Sequence, residues 1–522
     1  MKKKHLTLIC SIALIALGCG DFRGAADPFS YTSPRPYENW RPRKKESRLP
    51  FTLAKEDFNY VERAEPLSLA EVIDVALINN PSTKFSWANA RVSAARYGQT
   101  LENYFILADG SGTASRFRSA LFTGPMRSIV LDTLIAGDLN FSYLVFDFGK
   151  TRNTSKAALE SLYNADWSHN REIQTVMQTV MGDYYNYLYE DEKLTANRAD
   201  VVDAQVTLES VLEKLRNGTA DMGEKVQATT QLLQAELNVV AQKQNVHNSY
   251  TQLAADMGVP SDMDIKLEPY PETIHPFKPE DLDQLIDTAV CYRPDLKAAE
   301  SDVKAGQYLV KAAKSLYLPQ LNATFDVGRS YYSGAGSNDS YHYQAQAALT
   351  FPIFQGFFIR NTVKAAQGEL EKAQASLRSV QLSVVQQVSN QRTDVELAQE
   401  AYEYATAFLD SAKEDYRINL AKYRAGTGTI TELINAQTAV ADARAKYVLS
   451  KRDWFTSVAN LAYALGTLAP PDFNKESCDE KDRICPPPRS CSWGMQEKTP
   501  APKTYTQCDN HTGYTKDSSP IH

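Results

Sequence analysis

The sequence predicts a mainly α-helical chain with a membrane β part, built from two copies of one unit: helix, strand, strand, very long helix, helix. Three observations predict it. The two halves repeat one another at a nearly fixed offset. Each half carries a long apolar seam with a mean period of 3.5 residues, and each carries segments in which apolar and polar residues strictly alternate.

The repeat has an offset of 208 residues over most of its length. Arg152-Asn153-Thr154 and Lys156-Ala157-Ala158 recur as Arg360-Asn361-Thr362 and Lys364-Ala365-Ala366. Lys214, Arg216, Gly218 and Thr219 recur as Lys422, Arg424, Gly426 and Thr427, and Leu253, Ala254 and Gly258 as Leu461, Ala462 and Gly466. Nearer each start the offset is 213: Ile73, Asp74, Ala76, Pro81 and Lys84 match Ile286, Asp287, Ala289, Pro294 and Lys297. Self-similarity of this extent marks duplicated supersecondary units.

The expected elements follow in order. One helix opens each half, over about 67–105 and 279–317. Two extended segments come next, then a very long helix over about 154–217 and 362–425, ended at Gly218 or Gly426. A last helix covers about 221–258 and 429–466. The seam of the second long helix runs Val388, Val395, Ala398, Tyr402, Ala405, Leu409, Ala412, Tyr416 and Tyr423. In the first it runs Val180, Tyr187, Leu194, Val201, Ala204, Leu208 and Leu215. Steps of three, four and seven give left-handed coiled-coil packing, and some 64 residues rising 1.5 Å each make a rod of roughly 95 Å. Helices alone would equally suit a spectrin-like rod.

The extended segments weigh against a simple rod. Tyr341, Tyr343, Ala345, Ala347, Leu349 and Phe351 alternate with His342, Gln344, Gln346, Ala348 and Thr350. Leu139, Phe141, Tyr143 and Val145 alternate with Asn140 and Ser142, and Leu321, Ala323, Phe325 and Val327 with Asn322, Thr324 and Asp326. One apolar, aromatic face and one polar face over ~10 residues is the pattern of a lipid-facing strand with a wet lumen. Four strands cannot close alone, and lipid tolerates no open sheet edge, so several chains must share one barrel.

Composition excludes other classes. Mean hydropathy is −0.41, which rules out a bundle of membrane-spanning helices. The net charge of −7 is mild and spread along the chain, with no basic stripe of the kind nucleic-acid binders carry. The seven His form no H-E-x-x-H motif or close pair, and no G-x-S-x-G element occurs. Gly149-Lys150-Thr151 looks like the end of a P-loop, but the required upstream Gly is Leu144, so it reads as a turn into the long helix. No enzyme, cofactor or metal is expected.

The N-terminus reads as an export signal: Lys2, Lys3 and Lys4 precede an apolar stretch from Leu6 to Leu17. That stretch is shorter than the ~20 residues of a membrane-spanning helix. It ends Ile15-Ala16-Leu17-Gly18-Cys19, which resembles a bacterial lipobox with Cys19 as the lipidated residue, although Ala16 stands where Leu is usual. The alternative is cleavage near Ala26 with Cys19 discarded. Of the seven cysteines, Cys10 belongs to the signal, Cys291 reads as a small buried apolar residue, and Cys478, Cys485, Cys491 and Cys508 crowd the tail. Four cysteines in an exported segment suggest two disulfides in any of three pairings.

The arrangement resembles the TolC-like outer-membrane factor family over about residues 67–468. The residues that carry the resemblance are Asn80-Pro81, Leu318-Pro319-Gln320-Leu321, Phe354-Gln355-Gly356, the tip Lys422-Tyr423-Arg424-Ala425-Gly426-Thr427, and Leu465-Gly466. Their order and duplication, rather than any one of them, make the match specific. The resemblance implies a homotrimer in the cell outer membrane: a twelve-stranded β-barrel, four strands per chain, continued by an α-helical tunnel through the periplasm. It implies as partners a periplasmic adaptor and an inner-membrane pump of an efflux or type I secretion system, which supplies the energy. A periplasmic adaptor or a structural coiled-coil tether is the alternative reading, and the duplication argues against both. The organisation expected is a signal peptide (1–18), a linker (19–66), a first repeat (67–258, hairpin about 106–147), a second linker (259–278), a second repeat (279–468, hairpin about 320–354) and a Cys- and Pro-containing extension (469–522). The first hairpin's loop, about 119–136 with Leu121, Phe122, Ile129 and Val130, reads as either a surface loop or a lumen plug.

In the family, the periplasmic end closes like an iris with acidic residues at its narrowest ring. Gly218 and Gly426 mark the helix tips here, since glycine supplies the left-handed conformation that ends a helix. Glu432 and Asn435 occupy the place of the family's constriction, although both would be acidic there and only Glu432 is. Asp221 and Glu224 are their counterparts at the first tip, and Tyr423 aligns with a residue that latches the closed tip. The competing reading is that these acids favour helix N-termini.

Overall fold

In a computed structural model, the described residues are 26–39, 65–123, 126–263, 265–271, 281–333 and 338–468. Cys10, Cys19 and the tail cysteines Cys478, Cys485, Cys491 and Cys508 lie outside them. The first half comprises α1 (Leu69–Asn79), α2 (Pro81–Thr100), β1 (Leu107–Thr123), β2 (Met126–Phe146), α3 (Lys150–Arg216) and α4 (Met222–Met257). The second comprises α5 (Leu282–Tyr292), α6 (Pro294–Ser315), β3 (Gln320–Ser333), β4 (Asn338–Thr350), α7 (Phe358–Ala425) and α8 (Ile430–Leu465).

Each half therefore opens on two helices where the sequence predicts one. The breaks fall at Asn80-Pro81 and Arg293-Pro294, where proline drives the preceding residue out of the helical region. Asn80 has φ −61° and ψ 129°, and Arg293 has φ −73° and ψ 119°. The breaks let the short helices stack end to end. Gly258, at the end of α4, packs on the backbone of Asn79 and Asn80, and Gly466, at the end of α8, on that of Tyr292 and Arg293. A Cβ at either glycine would sit within 2.9 Å of that backbone. Equivalent hydrogen bonds lock the two joints: Asn80 Nδ2 donates to the Asp256 carbonyl (2.8 Å) and Arg293 NH1 to the Ala464 carbonyl (3.0 Å).

The helices form two tiers. Near the sheet the order of packing is α2, α3, α6, α7; further away it is α4, α3, α8, α7. Only α3 and α7 run through both, and each rises about 100 Å. Their seams are buried where the 3.5-residue period places them, at Val180, Leu194 and Ala204 and at Val388, Val395, Leu409 and Ala412. Between the tiers, Leu67, Val72, Val180, Tyr184, Leu253, Met257 and Tyr270 form the largest apolar cluster, and residues 265–270 wrap over it. Cys291 is half-buried rather than buried, because it lies on the outer side of α5 away from Leu285 and Ala289.

The two hairpins join through β2 and β3 into one antiparallel sheet of order β1-β2-β3-β4. Phe141 pairs with Phe325, which pairs with Ala345, so the apolar positions of neighbouring strands share one face. The segment 119–136 is neither loop nor plug. Residues 119–123 and 126–136 are paired strand, up to Thr123↔Met126. Phe351 falls one residue past β4, in a group of exposed aromatics with Phe146, Phe148, Phe354 and Phe357 where strands give way to helices.

Candidate functional site

At the end of the helix layer farthest from the sheet, the four helices α4, α3, α8 and α7 terminate together. Two glycines turn the chain: Gly218 (φ +71°) after α3 and Gly426 (φ +78°) after α7. The Gly426 and Thr427 N–H groups reach back to the last carbonyls of α7, and Thr219 does the same for α3. Val211, Ala228, Tyr423, Ile430 and Leu433, drawn from all four helices, pack into one small apolar cluster.

Tyr423 is the centre of that cluster and is 1% exposed. Its hydroxyl donates to Glu224 Oε2 at 2.7 Å, and Lys214 Nζ stands 3.9 Å from its ring centroid. Burial and the Glu224 carboxylate push the phenol above its ordinary range, so it stays a donor. Tyr423 thus ties α7 to the start of α4 and the end of α3. Arg424 Nε adds a bond to Ser210 Oγ at 3.2 Å. Higher up, Arg444 of α8 forks between Asp200 (2.5 Å) and Asp203 (2.7 Å) of α3, and Lys451 meets Glu192 at 2.7 Å. Burial holds the Asp200 carboxyl above its usual range despite Arg444.

All of the tip residues named from the sequence come together at this end. Asp221 is the N-cap of α4 and accepts from Glu224 N at 2.9 Å. Glu432 completes a capping box with Thr429, accepting from Thr429 N at 3.0 Å. The helix-start role is therefore occupied by both acids. Glu432 and Asn435 are also exposed and one turn apart on the same face of α8. Among the described residues, no group of three or more His, Cys, Asp or Glu could hold a metal ion. Nothing in the sequence pointed to the Arg444 fork; its signal is an Arg in α8 facing an i, i+3 pair of acids on α3.

At the other end the sheet has two chemically distinct faces. One carries Leu139, Phe141, Phe325, Val327, Tyr341 and Tyr343, and the other Asp109, Asp138, Asn140, Asp326, His342 and Gln346. Among the described residues, neither β1 nor β4 has a partner strand on its outer edge.

The family model described as outer membrane efflux protein matches residues 72–259 and 285–467, one stretch per repeat. The chain belongs to the outer membrane efflux protein family. It is 25% identical to protein CyaE of Bordetella pertussis over 414 residues, covering 78% of this chain and 85% of CyaE. To the outer membrane protein TolC of Salmonella enteritidis it is 24% identical, covering 64% and 69%. Among solved structures, the outer-membrane channel OprN superposes with a TM-score of 0.69 at 15% identity, covering 81% of this chain and 98% of that one. The four-stranded sheet and the helix layers therefore have the fold of outer-membrane channels. An outer membrane efflux protein is a channel, the exit component of a tripartite system. The adaptor and tether readings gain no support from these matches.

Proposed function

We propose that three copies of this chain form an export duct that is shut at its periplasmic end by the helix tips and opened by a periplasmic adaptor acting with an inner-membrane pump. The observation that carries the gate is the Tyr423–Glu224 hydrogen bond, which ties one helix pair to the other where the tunnel ends. A charge-assisted bond of this kind contributes about 1.5–3 kcal/mol. Tyr423→Phe combined with Glu224→Ala should raise single-channel conductance in planar bilayers. Unchanged conductance would dispose of the latch.

Glu432 supplies the acidic ring. It is exposed beside the α8 start, and three copies around a narrow pore would repel one another and attract cations. Asp221 and Glu224 lie at the neighbouring tip, and the neutral Asn435 leaves a single ring where two are the family pattern. Glu432→Gln is the informative variant, because Gln keeps the capping box while removing the charge. Reduced cation preference and weaker block by trivalent ions are expected; no change in either would leave Glu432 a cap and nothing more.

The edges of the helix layer support the trimer. On α4, Met222, Val226, Leu233, Leu237 and Val240 are each more than half exposed, at steps of four, seven, four and three. On α7, Leu397, Tyr404 and Ile418 are exposed at multiples of seven. Each is a coiled-coil seam lacking a partner in its own chain, and α4 of one protomer against α7 of the next would cover both.

The lipid anchor at Cys19 is supported by the path of residues 26–39. Trp87 Nε1 donates to the Ser33 carbonyl (2.6 Å), Arg91 stacks on Phe29 (4.1 Å), and the His169 ring meets the Glu38 carbonyl (3.2 Å). Traced backwards from Glu38 to Phe29, the segment climbs along α2 towards the sheet. From Arg91 to the end of α2 remains about 14 Å, and the residues between Phe29 and Cys19 span up to about 33 Å. A lipid on Cys19 can therefore reach the membrane. Cys19→Ser should abolish fatty-acid labelling and spare the trimer, while absence of label from the unaltered protein would remove the anchor. The tail cysteines are proposed to form two disulfides, to be checked by mass spectrometry without reduction.

A further inference from the structure

Asp138 on β2 and His342 on β4 are separated by a whole strand, yet His342 Nε2 lies 3.0 Å from Asp138 Oδ1. The register explains how. Asp138 pairs with Gly328 of β3, and Gly328 with His342, so the three residues form one rung across the sheet. Strands stand about 4.8 Å apart, and the two side chains lean towards each other over the residue between them. A Cβ on Gly328 would overlap both the carboxylate oxygen and the imidazole. Glycine is needed here for space. The contact also shields Asp138 Oδ1 from solvent, although the Asp138 side chain as a whole is 30% exposed.

The next rung on the same face holds Asp109, Asn140, Asp326 and Gln344, with the Asn140 amide donating to Asp326. This is the polar face, which in a closed barrel lines the lumen. Among the described side chains on it stand three carboxylates, Asp109, Asp138 and Asp326, one imidazole, and no Lys or Arg. The cationic side chains of these strands, such as Arg116 and Arg329, belong to the opposite face.

We propose that His342 is a specificity-determining residue of the duct: paired with Asp138 over Gly328, it makes the cation preference of the barrel lumen fall as the external medium turns acidic. Histidine is the side chain whose charge changes between about pH 5 and 8. With a neutral imidazole, the three carboxylates among the described side chains of this face, Asp109, Asp138 and Asp326, are uncompensated. A protonated His342 neutralises Asp138 and leaves two. The groups facing His342 are Asp138 on β2, Gly328 with Asp326 beyond it on β3, and Ser340 and Gln344 on its own strand. This belt lies at the opposite end of the molecule from the tip acids and is reached by protons from outside.

The test is the reversal potential of single channels in planar bilayers under a salt gradient. The periplasmic chamber stays at pH 7.5, and the extracellular chamber is taken from pH 7.5 to 5. The cation-to-anion permeability ratio of the unaltered protein should fall about twofold or more. His342→Gln, which retains hydrogen-bonding capacity, should keep its trimer and conductance but hold a constant ratio. Gly328→Ala, which forces the pair apart, should shift the pH at which the ratio changes. A ratio that is flat in the unaltered protein, or that titrates identically in His342→Gln, overturns the proposal. Trimers that insert and pass no ion at any pH overturn the duct reading itself, and this inference with it.

Discussion

Asp166 sits on α3 fully buried, and neither carboxylate oxygen has a hydrogen-bond partner among the described residues. Burial pushes its carboxyl up to about 9. Asp183, two tiers' junction away on the same helix, is pushed up to about 8 by burial and by its hydrogen bond with Asp256. Both groups bind a proton in the folded chain over a range where the unfolded chain has lost it. Their contribution to stability is therefore whole below about pH 4 and declines as pH rises towards 8 and 9. For Asp166 the slope is at most about 1.4 kcal/mol per pH unit. Heat dissociation of the trimer should occur several degrees lower at pH 9 than at pH 7, and Asp166→Asn should remove much of that difference. Equal melting at the two pH values in the unaltered protein would argue against a protonated Asp166. His169 works in the opposite direction. Burial takes it down to about 4, against the Glu38 carbonyl, which favours its charged form. Stability held by neutral His169 is present above about pH 6.5 and lost as pH falls towards 4, so the segment 26–39 should gain hydrogen-exchange rate in that window before the helices do. Uniform exchange from pH 7 to 4 in that segment would contradict this.

At the scale of the elements, the barrel strands offer the sharpest prediction. Tyr343 is near the middle of β4 and is 81% exposed on the apolar face, whereas Phe351 lies past the strand end. Tyr343→Arg should cost about 2–4 kcal/mol and reduce assembled trimer, Phe351→Arg about 0–1, and Gln346→Arg on the polar face little. Indistinguishable trimer yields for Tyr343→Arg and Gln346→Arg would reverse the facing of the sheet. The strands were legible because a half-buried strand leaves a period of two in its own residues, and the long helices because a seam leaves a period of 3.5. The proline breaks were harder to read: Asn80-Pro81 and Arg293-Pro294 were visible, but stacking on Gly258 and Gly466 is a contact over more than 170 residues. The continuation of the strands through 119–123 and 126–136 was not legible, because Leu121-Phe122 and Ile129-Val130-Leu131 break the alternation. Of the tip, the glycines and acids were legible from the duplication. The partners were not, since Tyr423 with Glu224, and Arg444 with Asp200 and Asp203, pair residues from different halves of the repeat.

For the whole molecule, the exposed seams of α4 and α7 are the faces through which the proposed tunnel would assemble. Leu237→Glu places a charge in the middle of the α4 seam, where the side chain is 63% exposed in the single chain. If α7 of a neighbour covers it, trimer yield on a heat-modifiable gel should fall severalfold; normal yield would assign that face to water. The open edges of the sheet have a different consequence. A lone chain that entered lipid would carry two rows of unpaired peptide groups along β1 and β4. In the proposed trimer, folding of the barrel and association of its three chains would then be one event, with no stable monomer in the membrane to repair or exchange. A copy with one faulty edge strand is therefore a poison rather than a loss. Expressed in equal amount with the intact chain, it would enter most trimers, and only about one in eight would be wholly intact. Cells carrying such a mixture should lose most of the pathway's export although half of their chains are sound.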